Sequence, residues 1–248
     1  MLIITMFVFG LIIGSFFNVV IYRVPRGESI VTPPSHCPTC NTRLKAIDLI
    51  PILSYILYRG KCRYCGAKIS LQYPIVEFIT ALLYLFTYLK FGLSLAGYIN
   101  LFLISLLTII TFIDLNEKII PNVLSYSGII IGLILSLIFE HITFISSLIG
   151  LIIPSILLLI IALIFKGGMG IGDVKLVGMI GTFTGYLYPL ISIFIGSLIG
   201  IIIYFPLMLK GNVDRKTRIP FGPLISLGTI IMIFFGKWLI DLYWAIFI

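Results

Sequence analysis

The chain has 248 residues, 60% of them hydrophobic and 10% charged, with 17 Lys and Arg against nine Asp and Glu for a formal net charge of +8. A soluble domain carries roughly 45–50% apolar and about 25% charged residues, so this composition excludes a water-soluble globule and reads as an integral membrane protein. Several apolar runs reach the roughly 20 residues that a bilayer crossing needs, which points to an all-α polytopic bundle and away from a β-barrel.

The first run, LIITMFVFGLIIGSFFNVVI, fills most of residues 1–21. It has no basic residue before it and no small-residue cleavage site after it, so it reads as a retained first helix and not as a secretory signal. Arg23 and Arg26 follow at once. The positive-inside rule then puts the N-terminus outside and the next segment in the cytoplasm.

Residues 22–71 form the one long polar segment, and they hold all four cysteines: Cys37 and Cys40 in SHCPTC, Cys62 and Cys65 in GKCRYCGAKIS. Two Cys-x-x-Cys knuckles 21 residues apart have the spacing of a zinc ribbon. In such a site four thiolates close a tetrahedron and leave no position for a catalytic water, so the zinc is structural. An insert of this size has little core of its own, and a metal would supply what burial does not. Two disulfides are the main rival reading, against which the reducing cytoplasm argues. Between the knuckles, AIDLIPILSYILYRG is apolar, broken by Pro51 and too short to span. It is expected to pack on the bundle or lie in the membrane interface.

Residues 72–248 are expected to form the rest of the bundle, giving eight crossings in all at about 2–21, 72–89, 95–113, 122–139, 144–165, 174–187, 189–209 and 223–246. This threading puts all the basic residues except Lys90 and Lys237 at cytoplasmic ends or loops. The positive charge is then mostly topology, supplemented by attraction to anionic lipid headgroups. No basic patch interleaved with exposed aromatics supports nucleic-acid binding.

The nine acids sort themselves along this threading. Glu28, Asp48, Glu117 and Asp214 fall in polar loops, while Glu140 and Asp241 fall near the outer face. Glu77 enters the second span by about one turn, Asp114 ends the third in LLTIITFIDLNEKIIPN, and Asp173 opens the sixth in FKGGMGIGDVKLVG. Asp173 alone could be a helix cap, and Asp114 a boundary residue before the turn at Pro121. Two ionisable residues at one cytoplasmic edge point instead to a functional pair. Facing aspartates hold one proton between them, so one activates water as base while the other acts as acid. Gly167, Gly168, Gly170 and Gly172 would let an extended peptide lie beside them. The helix ends suggest an asymmetry, with Asp173 at an N-terminus ionised and Asp114 at a C-terminus protonated.

Taken together, GSFFNVVIYRVP, the two knuckles, RYCGAKISLQYPIVE, IDLNEKIIPN, GMGIGDVKL and IPFGPLISLG occur in an order that resembles the type IV prepilin peptidases, membrane aspartic proteases of the Gly-x-Gly-Asp kind. The resemblance runs nearly the whole chain. It implies an enzyme of the inner, cytoplasmic membrane that cuts the short basic leader from prepilins and pseudopilins on the cytoplasmic side. It also implies N-methylation of the new N-terminus with S-adenosylmethionine, since the cysteine-bearing insert is usual in the bifunctional members. The family's two aspartates map onto Asp114 and Asp173. No Gly-x-Gly-x-x-Gly is present, so the methyl donor's site must be built otherwise. Glu77 and Glu28 are candidates to hold the substrate amine or the cofactor, with a structural ion pair the plain alternative for Glu77.

Two other readings compete. A proton-coupled transporter would also use paired carboxylates, but it predicts acids near the midplane, broken helices and inverted repeats. A redox or scaffolding membrane protein would use the cysteines and leave both aspartate motifs without a role.

Overall fold

The computed structural model describes residues 1–139, 141–164, 170–210 and 219–247. Glu140, Lys166, Gly167, Gly168, Asp214, Arg215, Lys216 and Arg218, placed above from the sequence, lie outside the described residues. Nine α-helices run in chain order among the described residues: α1 (Leu2–Arg23), α2 (Leu53–Leu57), α3 (Gln72–Phe91), α4 (Leu95–Glu117), α5 (Asn122–Phe139), α6 (Phe144–Ile164), α7 (Ile171–Thr184), α8 (Leu187–Leu209) and α9 (Gly222–Phe247). Seven of them, all but α2 and α7, are long and apolar enough to cross a membrane.

The expected eighth crossing is α7, which runs antiparallel along α6, with Ser155 at Val174 near one end and Ser147 at Thr182 near the other, and is shorter than the other seven. Its 14 residues rise only about 21 Å, short of a hydrocarbon core of about 30 Å. Nine of the 14 are buried, in a continuous run from Leu176 to Phe183 plus Asp173. A helix apolar all round is one enclosed by protein, and α7 packs against α5 and α6. The lipid face is carried instead by helices such as α6 and α8, which expose Ile152, Ile156, Leu163, Phe194, Ile202 and Phe205.

The chain divides into two compact units, residues 1–101 and 102–248. In the first, α3, which the sequence grouped with the following bundle, packs along α1. Gly10 and Gly14 of α1, one turn apart, make this crossing possible. A Cβ on either would stand 2.6 Å from the Ala81 Cα or 2.7 Å from the Glu77 Cα. Small residues at this spacing let two membrane helices approach backbone to backbone. Asn18 of α1 donates to the Tyr73 carbonyl at 3.0 Å. Arg23 is buried and donates to the carbonyls of Ser29 and Pro33 at 2.8 and 2.7 Å, so this cation organises the insert's first loop. The apolar segment between the knuckles forms a short 3-10 turn (Ala46–Leu49) and α2, and it exposes Leu53, Ile56 and Leu57.

In the second unit the α6 and α7 backbones nearly touch: a Cβ on Gly181 would overlap the Gly150 carbonyl. Gly128 and Gly132 of α5 leave room for the Met179 and Thr182 side chains of α7. Ser147 donates to the Thr182 carbonyl at 2.7 Å, which satisfies a polar side chain where no water reaches.

Candidate active site and metal centre

The two cysteine knuckles are copies of one local structure, offset by 25 residues. In the first, the Cys37 N–H donates to the Thr42 carbonyl at 3.0 Å and the Asn41 N–H to the Cys37 carbonyl at 2.8 Å. In the second, Cys62 donates to Ala67 at 2.7 Å and Gly66 to Cys62 at 2.9 Å. Antiparallel bridges His36–Arg43 and Lys61–Lys68 close each loop. Asn41 and Gly66 occupy matching positions at φ +53° and +73°, the left-handed region that glycine and asparagine tolerate best. The Gly66 of CGAK thus has the turn role its position suggests.

These turns bring the four sulfurs to one point. The Sγ atoms of Cys37, Cys40, Cys62 and Cys65 all lie within 4.8 Å of one another, with none in a disulfide. Cys37 Sγ and Cys65 Sγ are 3.9 Å apart. Two thiolates on a tetrahedral ion with bonds of about 2.3 Å stand about 3.8 Å apart. The residues therefore fit a four-thiolate metal ion.

Beside the cysteines, unit 1 holds a cavity of about 400 Å³, walled by α1, the insert and the start of α3. Glu77 lines it, buried, and its Oε2 accepts the Ile52 N–H at 2.7 Å. This bond holds Ile52, a non-glycine residue at φ +58°, so the glutamate fixes the segment between the knuckles to α3. The partner is a backbone amide, not the lysine or arginine of the plain alternative. Glu28 is exposed and does not line the cavity. Asp48, read from the sequence as a loop acid, does line it: the residue is half-buried, with its side chain 6% exposed. Tyr64 donates to Asp48 Oδ2 at 2.9 Å, and this bond holds the Tyr64 phenol above its usual range.

In unit 2, Asp114 and Asp173 line one cavity of about 250 Å³, together with Lys118, Asn122, Gly170, Gly172 and Lys175. Both carboxylates are buried. Asp114 lies in the last turn of α4, and Lys118 at φ +54° then turns the chain away. Asp173 is the third residue of α7, and its Oδ2 accepts the Gly170 N–H at 3.0 Å. The N-cap is therefore Gly170 and not Asp173, which reaches back from the first turn to satisfy the Gly170 N–H while also lining the cavity. Gly172 leaves room beside it, since a Cβ there would stand 3.0 Å from that of Ile120. Lys175 is held by Asn122 at 2.8 Å and over the Tyr126 ring.

The asymmetry expected from the helix ends loses its basis here. Asp114 Oδ2 accepts the Gly222 N–H at 3.1 Å, and Gly222 opens α9. A helix N-terminus therefore faces each carboxylate, and the negative end of α4 does not act alone on Asp114. Gly222 is the residue that sequence reasoning missed. It stands in IPFGPLISLG, quoted as a motif without a role, and a Cβ there would come 2.7 Å from Asp114 Oδ2. Asp173 is on the helix that is not among the seven; burial pushes it up to about 6, against the pull of the Gly170 N–H and with help from the Asp114 charge.

Two family descriptions match successive parts of the chain: the bacterial Peptidase A24 N-terminal domain at residues 8–91 and the type IV leader peptidase family at residues 101–205. A prepilin leader peptidase/N-methyltransferase of Bacillus subtilis (strain 168) is 35% identical over 238 residues, covering 96% of both chains. The chain belongs to the type IV leader peptidase family. Relatives of the same name in Xanthomonas campestris pv. campestris and Neisseria gonorrhoeae are 32% and 31% identical, covering 94% and 89% of this chain and 91% and 86% of their own. No solved structure matches. The A24 N-terminal match takes in α1, both knuckles and α3, and the leader peptidase match takes in Asp114 and Asp173.

Proposed function

We propose that this membrane protein removes the basic leader from prepilins or pseudopilins through Asp114 and Asp173 and then N-methylates the exposed residue. The observation that carries the reading is the convergence of the two buried aspartates on one cavity, in the part of the chain that matches the leader peptidases. Two carboxylates that share a proton can cut a peptide without a metal or a covalent intermediate. The ionised aspartate takes a proton from a water, whose oxygen attacks the scissile carbonyl carbon. The protonated aspartate gives its proton to the carbonyl oxygen. Collapse of the resulting diol then breaks the C–N bond as the first aspartate gives its proton to the leaving amine and the second takes one back from a diol hydroxyl. The Gly170 and Gly222 amides fix one oxygen of each carboxylate and leave the other to face water and peptide.

The charge distribution supports a cytoplasmic position for this edge and for the cysteine insert, in the inner membrane. A prepilin carries a polar cationic leader followed at once by an apolar helix, so its scissile bond meets the membrane surface where the pair would lie. Cys37, Cys40, Cys62 and Cys65 would hold a structural zinc, which ties the two knuckles together. S-adenosylmethionine would supply an electrophilic methyl group to the new amine, with Glu77 and Glu28 as the acids first considered for that site. The surrounding basic residues serve lipid headgroups and not nucleic acid. Membranes containing the enzyme, given a prepilin with a Lys- and Arg-rich leader, should yield a truncated product that gains one methyl group when S-adenosylmethionine is added. A prepilin left at full mass would refute the reading. No feature of the structure favours a transporter, since the paired acids stand at helix ends.

A further inference from the structure

The depth of α2 in unit 1 is set by its tie to α3. That helix begins at Gln72 and has 20 residues. Its whole length of about 30 Å is needed to cross a hydrocarbon core, so Gln72 lies near the membrane boundary and Glu77 about 8 Å inside it. Helical side chains lean toward the helix N-terminus, and Glu77 Oε2 accepts the Ile52 N–H at 2.7 Å. Ile52, which opens α2, therefore sits between the levels of Gln72 and Glu77, within the boundary. The polarity of α2 is the reverse of that of a segment in water. Ser54, Tyr55 and Tyr58 line the cavity. Leu53, Ile56 and Leu57 do not, and they are 58%, 63% and 68% exposed. Ile47 and Ile50 just before them are exposed as well. A segment bathed in water turns its hydroxyls out and its aliphatics in, and a run of exposed aliphatics marks a surface that meets something apolar. Arg59, Lys61 and Lys68, exposed, follow directly.

We propose that α2 is a lipid-docking element: Leu53, Ile56 and Leu57 enter the acyl chains of one leaflet, and Arg59, Lys61 and Lys68 meet its anionic headgroups. The choice of the cytoplasmic leaflet rests on the placement proposed above, while the docking itself rests on neither enzymatic activity. That leaflet is the one that carries anionic lipid and attracts basic segments. Packing on the bundle, the other expectation for this segment, would cover the three aliphatic side chains, which stay exposed. An interfacial helix buries its apolar face about 5–10 Å into the boundary between headgroups and acyl chains, and the bond to Glu77 holds α2 at that depth. Five residues alone would bind a membrane weakly. Here α2 is already ordered by Glu77 and by a knuckle on either side, so little freedom remains to be lost on docking. Glu77 is then a positioning residue that sets how deep the insert rides. The hydroxyl-bearing face of α2 forms a wall of the cavity, and its other face keeps lipid out of it.

The test uses the full-length, metal-loaded enzyme, one copy per nanodisc, in phosphatidylcholine with or without phosphatidylglycerol. A trace of phosphatidylcholine carries a diazirine in the upper part of its acyl chain, and the labelled peptides are mapped by mass spectrometry after irradiation. Peptides of α1 and α3 serve as the internal standard. Residues 53–57 should take label as the adjoining ends of α1 and α3 do, and more of it when phosphatidylglycerol is present. Labelled α1 and α3 beside an unlabelled 53–57 segment would overturn the proposal, whether water, a second copy or another protein covers that face. Equal label with and without phosphatidylglycerol would overturn the assignment of Arg59, Lys61 and Lys68 to headgroups. Glu77→Ala should lower the label on 53–57 several-fold, and Glu77→Gln, whose amide oxygen also accepts an N–H, should restore it. Undiminished label in Glu77→Ala would refute the depth-setting role of Glu77. The result on the unaltered enzyme stands whatever a substitution does to the insert. Prepilin cleavage and methylation are read in separate discs, so a failure of either activity is distinguishable from a failure of docking.

Discussion

Replacing Gly222 by alanine perturbs the aspartate pair at one atom. The new methyl would stand 2.7 Å from Asp114 Oδ2 and 3.1 Å from Ile120 Cδ1. Non-bonded heavy atoms rest about 3.5 Å apart or more, so the carboxylate must move by about 0.8 Å. That movement strains or breaks its 3.1 Å hydrogen bond with the Gly222 N–H. Gly222 is not in the left-handed region and begins α9, so alanine suits its backbone and the helix should form. A hydrogen bond to a charged group contributes about 1.5–3 kcal/mol. Lost from the transition state, it lowers the cleavage rate by about 10- to 150-fold. The assay is kcat/KM for prepilin cleavage in membranes at equal enzyme levels. A Gly222→Ala enzyme within twofold of the parent would refute the view that α9 positions Asp114.

Two further outcomes follow from the same sites. Asp173 is raised from 3.8 to about 6, so it holds its proton at pH values where an ordinary aspartate has lost it. Hydrolysis needs one proton in the pair, and the pair's last proton leaves near that value. Cleavage kcat/KM should therefore fall as pH rises above about 6, approaching tenfold per unit, as the profile of a jointly titrating pair. A flat profile between about pH 5 and pH 8 would contradict it. Removal of the metal from the four cysteines should open residues 36–68 to limited proteolysis, because the knuckles share one tether. Unchanged resistance in protein verified as metal-free would show that the ion is dispensable to the insert.

Much of this architecture was legible in the chain because a bilayer imposes a length. Each apolar run of about 20 residues became a helix within a few residues of its expected ends. Hydropathy does not say what surrounds a helix, however: α7 crosses with its apolar residues against α5 and α6 and not against lipid. The four cysteines were legible because a tetrahedral site demands two close pairs. Their 25-residue repeat shows in the sequence, but its meaning needed the paired turns. Asp114 and Asp173 were found from their rarity among apolar neighbours. Their environment was not, because Gly222 is 108 residues from Asp114 and reading each acid against its own helix end misses the end of another. Asp48 was set aside for the same reason: a polar loop in sequence can still fold an acid into a cavity wall.

The measurement that bears most directly on the account compares Asp114→Asn and Asp173→Asn with the parent enzyme, following prepilin cleavage by product mass at matched membrane levels. Each change keeps the size of the side chain and removes its ability to exchange a proton. The account predicts cleavage by the parent and its loss in both variants. Cleavage at the parent rate in either one would contradict the two-aspartate mechanism and return Asp173 to a role at the start of its helix, or Asp114 to that of a boundary residue.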